Sequence, residues 1–321
     1  MKKILRILAL LMVFGLLFSA CATPAAEEVP AEEVAPVEEA EEVVEEKLVV
    51  GFSLLTRTHT FYMLMEEALD DEAVKQGVEI VAVDANMDNA TQLNQVQDFI
   101  TQGVDAIILT PVDSAGIEAA IKLANDAEIP VFTMDTAATG DGVVVSHVAT
   151  DNYAGGVLDG EYAVEVLDGK GEVAIIGCAG IESITLRTQG FQDAVKDYPD
   201  IEIVASTDCK CDGAIACDQT ADLLVAYPDL ALVFGTGDPF GLGAMTAITA
   251  ANREVYVVSL DGLPEGIAEV KKGGLFLCTV AQDPDLIART TLQNIVKYLG
   301  GEEIDPLILI SPYVIDIKNA P

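Results

Sequence analysis

DAIILTPVDSAGIEAAIKLANDAEIPVFTMD, residues 105–135, sets two short apolar runs on either side of a helix-length amphipathic segment. The runs DAIILT (105–110) and PVFTMD (130–135) have the length and β-branched content of strands, and the spacing between them predicts a helix over 114–127. Strands that are apolar nearly throughout belong to a parallel sheet covered by helices on both faces.

The same alternation extends in both directions. Upstream, KLVVGFSLL and VEIVAVDA predict strands, with helices at about 61–76 and 90–102. Downstream a second series begins with VVVSHVAT, EVAIIGC, IEIVAS, LALVFGT, VYVVSLD and FLCTVA. Helices are expected there near 151–167, 182–198, 213–227, 238–251 and 264–272, and a last one, 285–299, precedes LILISPYVI. An open sheet rarely exceeds about ten strands, so the pattern predicts two similar doubly wound α/β lobes rather than one long sheet.

In such sheets ligands sit beyond the carboxyl ends of the strands, where helix N-termini also point. Asp135 ends PVFTMD, Asp261 ends VYVVSLD, and Gln282 follows FLCTVA. Two carboxylates and an amide, drawn from both lobes, therefore converge on an interlobe cleft if the lobes face each other.

The N-terminus reads differently. Lys2, Lys3 and Arg6 precede an apolar stretch from Ile7 to Leu17 and the small pair Ser19-Ala20, the layout of an export signal over residues 1–20. Cys21 then stands where the lipobox of bacterial lipoproteins carries its lipid-bearing cysteine, with Phe18 in place of the usual leucine. Residues 21–47 are mostly Ala, Pro, Val and Glu, ten glutamates against Lys47, which predicts a disordered, self-repelling tether.

Ten of the 53 acidic residues and four of the 17 cations lie before Leu48, leaving 43 against 13 and a formal charge of about −30 on the remainder. Such a surface repels phosphate backbones and anionic headgroups, which excludes nucleic acid as a partner. Cys178, Cys209, Cys211, Cys217 and Cys278 leave one cysteine unpaired if disulfides form. CKCDGAIAC does not match a zinc spacing; a bridge from Cys209 or Cys211 to Cys217, or simply buried thiols, are the readings it supports.

GTGDPFGLG, residues 235–243, follows a strand and opens a helix, with Asp261 about 20 residues on, so taken alone it is a dinucleotide-binding turn and an NAD enzyme is the alternative. Pro239 at the first helical position after an Asp238 cap is the competing explanation. No G-x-S-x-G, H-E-x-x-H or P-loop occurs. No cofactor, no metal and no catalysis are expected.

From Leu48 to Ile317 the order and spacing of several segments resemble the type I periplasmic sugar-binding proteins of ABC importers, the ribose-binding branch in particular. The segments are HTFYMLMEEALDDEAVKQG, LNQVQDFITQGVDAIILTPVDSAGIEAAIKLANDAEIPVFTMD, VVVSHVATDNYAGG, LRTQGFQDAV, VVSLDGLPEG and FLCTVAQDP. The resemblance implies that Phe61 and Tyr62 stack on a sugar ring, that Asp135 accepts from its hydroxyls, and that Arg187, Asp261 and Gln282 complete a polar ring. The chain departs from the ribose binders at His59 (asparagine there), Thr136 (arginine), Gly237 (asparagine) and Cys211 (an aromatic residue). Phe61 and Tyr62 also fit core residues at a helix start, Arg187 a surface ion pair and Asp261 a turn.

These departures imply a neutral polyhydroxylated ligand other than ribose: another pentose or hexose, a cyclitol, or a furanone-type signal. The resemblance further implies an N-terminal lobe of residues 48–149 plus 283–310, a C-terminal lobe of 150–282 plus 311–321, and hinge closure. It implies a monomer that hands ligand to an ABC permease from the extracytoplasmic face of the membrane, with a sensory receptor for chemotaxis or signalling as the alternative.

Overall fold

The computed structural model describes residues 47–321. The expected export signal, the expected lipid site at Cys21 and residues 21–46 of the expected tether lie outside the described residues.

Twelve strands and nine helices follow one another in these residues. The first series is β1 (Val49–Leu54), α1 (Thr60–Gln76), β2 (Glu79–Asp84), α2 (Asn89–Gln102), β3 (Ala106–Leu109), α3 (Glu118–Asp126), β4 (Val131–Met134) and β5 (Ser146–Thr150). The second is α4 (Asn152–Val166), β6 (Lys170–Gly177), α5 (Glu182–Val195), β7 (Asp200–Asp208), α6 (Gly213–Ala226), β8 (Leu230–Gly235), α7 (Asp238–Ala250), β9 (Tyr256–Asp261), α8 (Pro264–Val270) and β10 (Phe276–Ala281). The chain ends with α9 (Pro284–Leu299), β11 (Leu307–Ile310) and β12 (Tyr313–Asp316).

The strands form two six-stranded sheets, ordered β11-β5-β4-β3-β1-β2 and β12-β10-β9-β8-β6-β7. Every pairing is parallel except β10 with β12. Each sheet thus reverses its order next to its first strand, β1 or β6, and has helices on both faces: two doubly wound α/β lobes. Leucine, isoleucine, valine and phenylalanine close both faces, with Phe52, Phe132, Phe191 and Phe234 fully buried. No helix of the described residues is long and apolar enough to cross a membrane.

Three stretches carry the chain between the sheets: from β5 into α4, from β10 into α9, and the two residues Ser311-Pro312 between β11 and β12. LILISPYVI is therefore split between two sheets, because Pro312 has no N–H to continue a ladder. Helix α9 packs on α1, β4 and β5 of the first lobe. Gln293 of α9 donates to buried Glu72 of α1, whose carboxyl is drawn down to about 2 chiefly by the bonds from Gln76 and Gln293.

Helix α3 begins at Glu118, four residues after its expected start. The Asp113 carboxylate accepts the N–H groups of Ala115 (2.9 Å) and Gly116 (2.6 Å), an Asx turn that competes with helix. The displaced Ser114 serves the other lobe: its N–H donates to the Gly180 carbonyl at 2.9 Å, and its hydroxyl accepts the Glu182 N–H at 3.0 Å. In the second lobe α4 and α5 cross where a Cβ on Gly156 would run into the Arg187 carbonyl, and one on Gly190 into the Tyr153 carbonyl. Those two glycines set the depth at which Arg187 is held.

Candidate functional site

The carboxyl ends of both sheets and the N-termini of α1, α5 and α7 enclose a cavity of about 440 Å³. Nine of the ten residues singled out for ligand contact line it: His59, Phe61, Tyr62, Asp135, Arg187, Cys211, Gly237, Asp261 and Gln282. Thr136 does not. It is fully buried behind Asp135, and its hydroxyl donates to Asp135 Oδ2 (3.1 Å) and lies 3.3 Å from Ser183 Oγ of the opposite lobe.

The first lobe contributes aromatic faces and one carboxylate. His59 caps α1, its Nδ1 accepting the Phe61 N–H at 3.2 Å. Burial lowers its pKa, against a smaller upward pull from Asp261, so it is neutral at neutral pH. Phe61 and Tyr62 are both buried and meet edge to face, ring centroids 5.5 Å apart. They belong to core and cavity wall at once.

Asp135 follows β4 at φ +67°, a left-handed conformation that places its side chain over the strand end. Its Oδ2 accepts from the Tyr62 hydroxyl (3.2 Å) and from Thr136; its Oδ1 is buried without a partner. Burial raises its carboxyl to about 6, with Arg187 and the Thr136 hydrogen bond pulling the other way.

The second lobe contributes a fixed network. Arg187 is buried and donates Nε to Asn152 Oδ1 (2.8 Å) and Nη1 to the Thr236 carbonyl (2.8 Å) and to Asp261 Oδ1 (3.0 Å). Gln282 Nε2 donates to the same Asp261 oxygen at 2.8 Å, which leaves Gln282 Oε1 buried and unpartnered. Gly237 rather than Asp238 caps α7. Asp238 turns inward instead, accepting from Ser259, Thr279 and the Leu263 N–H, and burial with Asp261 nearby pushes its carboxyl up to about 7.

The glycines of residues 235–243 are occupied by packing. A Cβ on Gly235 would strike the Gly241 backbone, and one on Gly243 the Gly213 carbonyl. Cys211 is bonded to Cys178 rather than to Cys217, with 5.0 Å between their Cα atoms, while Cys209, Cys217 and Cys278 are free thiols. The partner of Cys211 lies 33 residues back on another strand end, which spacing within CKCDGAIAC does not reveal.

Several residues of the site carried no sequence signal: on the wall Phe240 as a third ring and the apolar Leu55, Ile181 and Ile184, and off the wall Asn152, which supports Arg187. Isolated apolar residues look alike on a wall and in a core. Asn152, one residue into α4, had only its helix-start position to mark it.

A wall with three aromatic rings, two unpartnered acceptors and one anchored guanidinium suits a compact molecule with an apolar face and several hydroxyls. Carboxylates outnumber cations on the wall, with Asp135, Asp212, Asp261 and Glu265 against Arg187, which disfavours anions. The lobes already touch around it, through Thr60 Oγ1 to Glu265 Oε1 at 2.9 Å as well as through Ser114 and Thr136.

The Asp135 shift predicts opposite pH responses for folding and binding. Because its folded pKa is raised, the group stabilises the free protein fully below pH 3.8, and that contribution is lost as pH rises through about 6. A hydroxyl donor on Oδ1 prefers the ionised form, so affinity should fall as pH drops through the same value, by about tenfold between pH 7.5 and 5. Calorimetric titration across that range checks it; a flat profile removes Asp135 from the contact.

A model of the periplasmic binding protein domain matches residues 50–303. The ribose import binding protein of Salmonella typhimurium is 34% identical over 274 residues, 85% of this chain and 90% of its own. Among solved structures, an ABC transporter solute-binding protein from Mycobacterium smegmatis with bound glycerol aligns at TM-score 0.81 and 35% identity, covering 85% of this chain and 96% of that one. Another from Bacillus halodurans, with bound myo-inositol, aligns at TM-score 0.80 and 27% identity, with the same coverage.

Proposed function

This chain belongs to the periplasmic binding protein family, and from that premise we propose that it captures a neutral sugar or polyol in the interlobe cavity and delivers it to an ABC permease. The observation that carries the reading is the pair of buried, unpartnered acceptors, Asp135 Oδ1 from one lobe and Gln282 Oε1 from the other, on the wall of one cavity. Unsatisfied buried acceptors are costly, and ligand hydroxyls would satisfy both when the lobes close. The polar set is complementary to a polyol: Asp135 and Gln282 accept, and Arg187 donates. Phe61, Tyr62 and Phe240 supply apolar faces for the C–H side of a ring.

Closure is a rotation about the three connecting stretches, with residues 48–149 and 283–310 as one body and 150–282 and 311–321 as the other. The relatives' role places the folded part outside the cytoplasm. A lipid on Cys21 and the acidic segment after it would keep a monomeric receptor near the permease.

The test is a thermal-shift panel with D-ribose, D-allose, xylitol, myo-inositol and glycerol, followed by recovery of the ligand. A binder at one hundred times its Kd should add about 2.7 kcal/mol of stability and be recovered unaltered. Absence of any shift across the panel overturns the reading, and chemical conversion of a ligand replaces it with an enzyme.

A further inference from the structure

We propose that the Cys178–Cys211 disulfide is a working part of the ligand site, pinning one wall of the cavity so that ligand affinity depends on its oxidation state. The inference rests on the ligand reading above. Cys178 follows β6 and Cys211 lies in the turn from β7 to α6, and both line the cavity together with the neighbouring Asp212.

That turn contains two consecutive non-glycine residues in the left-handed region, Lys210 at φ +55° and Cys211 at φ +58°. L-residues visit this region reluctantly, and they persist there only where the surroundings over-determine them. The flanks are held independently. Asp208 accepts the N–H groups of Lys210 (2.9 Å) and Ala179 (3.3 Å), and Asp212 caps α6 through the N–H groups of Ala214 and Ile215. Cys211 itself is held by its sulfur and by packing against the core. Opening the disulfide leaves the flanks in place and frees the residue facing the cavity, whose reordering must then be supplied by ligand binding.

The other described thiols are poorly placed to take over. Cys209 is buried and burial pushes its thiol up to about 11, Cys278 is buried against Asp159 at 3.8 Å, and Cys217 does not line the cavity. Reduction by a small dithiol is balanced within the pair. A reagent thiolate attacks the sulfur of Cys211, the less buried residue of the pair, breaking the S–S bond, forming a mixed disulfide and releasing the Cys178 thiolate. The second reagent thiol closes the reagent's own disulfide ring, its two electrons reduce the cystine, and protons return to Cys178 and Cys211. If the cross-link strengthens binding, linkage requires that a bound ligand make the disulfide harder to reduce at equilibrium by the same factor.

The experiment uses the purified full chain, oxidised, then reduced with dithiothreitol, and titrated with each sugar or polyol of the panel above. Reduction is expected to weaken the binding of the responsive probe by about tenfold, equivalent to about 1.4 kcal/mol, with circular dichroism unchanged and recovery on reoxidation. Cys178→Ser/Cys211→Ser should show the weakened affinity with or without dithiothreitol, while Cys217→Ser should respond as the parent does. Equal affinity in oxidised and reduced protein overturns this proposal alone. Failure of the oxidised chain to bind any probe overturns the ligand reading and this proposal with it. Alkylation of both Cys178 and Cys211 in the denatured, unreduced chain shows that the cross-link does not form and overturns the proposal independently of any ligand.

Discussion

Asp135→Ala should weaken ligand binding by about 2 to 4 kcal/mol, the usual loss when one partner of a desolvated, charged hydrogen bond is truncated. The argument is local. Asp135 Oδ1 is buried with no partner, while Oδ2 already serves Tyr62 and Thr136. Asparagine separates charge from shape, because it tolerates the left-handed backbone that Asp135 adopts and keeps one acceptor. Asp135→Asn should therefore lose affinity while raising the melting temperature of the free protein at pH 7.5, where the buried carboxylate is ionised at a cost. Calorimetry and thermal denaturation read the two effects separately. Unchanged affinity in both variants would take Asp135 out of the site.

Arg187→Met should be the most destabilising single change in the site, by about 3 to 5 kcal/mol, because it strands a buried carboxylate. Asp261 would retain only the Gln282 amide and the Asp238 N–H, beside Asp238, which is itself buried. For a folded part of this size the loss corresponds to a fall in melting temperature of about 10 °C. Arg187→Lys should restore little, because one ammonium cannot span Asn152, the Thr236 carbonyl and Asp261 as the planar guanidinium does. A melting point within 2 °C of the parent would mean that Arg187 is dispensable to the network.

The two lobes and the carboxyl-end cleft were legible because buried parallel strands are written as apolar runs, and a carboxylate at the end of such a run, as at Asp135 and Asp261, needs partners from elsewhere. What spacing conceals is direction and distance. Thr136 adjoins Asp135 in sequence, yet it does not line the cavity, and its hydroxyl is taken up by Asp135 Oδ2 and Ser183 Oγ. Cys211 and Cys178 meet only because β6 and β7 are neighbours in the sheet and end at one level. The late start of α3 was hidden for a different reason: Asp113 can initiate a turn or cap a helix, and the contact that recruits Ser114 comes from the other lobe.

Helix α9 and strand β11, which complete the first lobe, come from residues 284–310, after five of the six strands of the second sheet. A growing polypeptide therefore cannot finish its leading half until nearly all of it has been synthesised, and β5 is left without its outer neighbour until then. Long-range pairings of this kind assemble slowly. The order of segments thus makes closing the outer edge of the first sheet one of the last steps open to the chain.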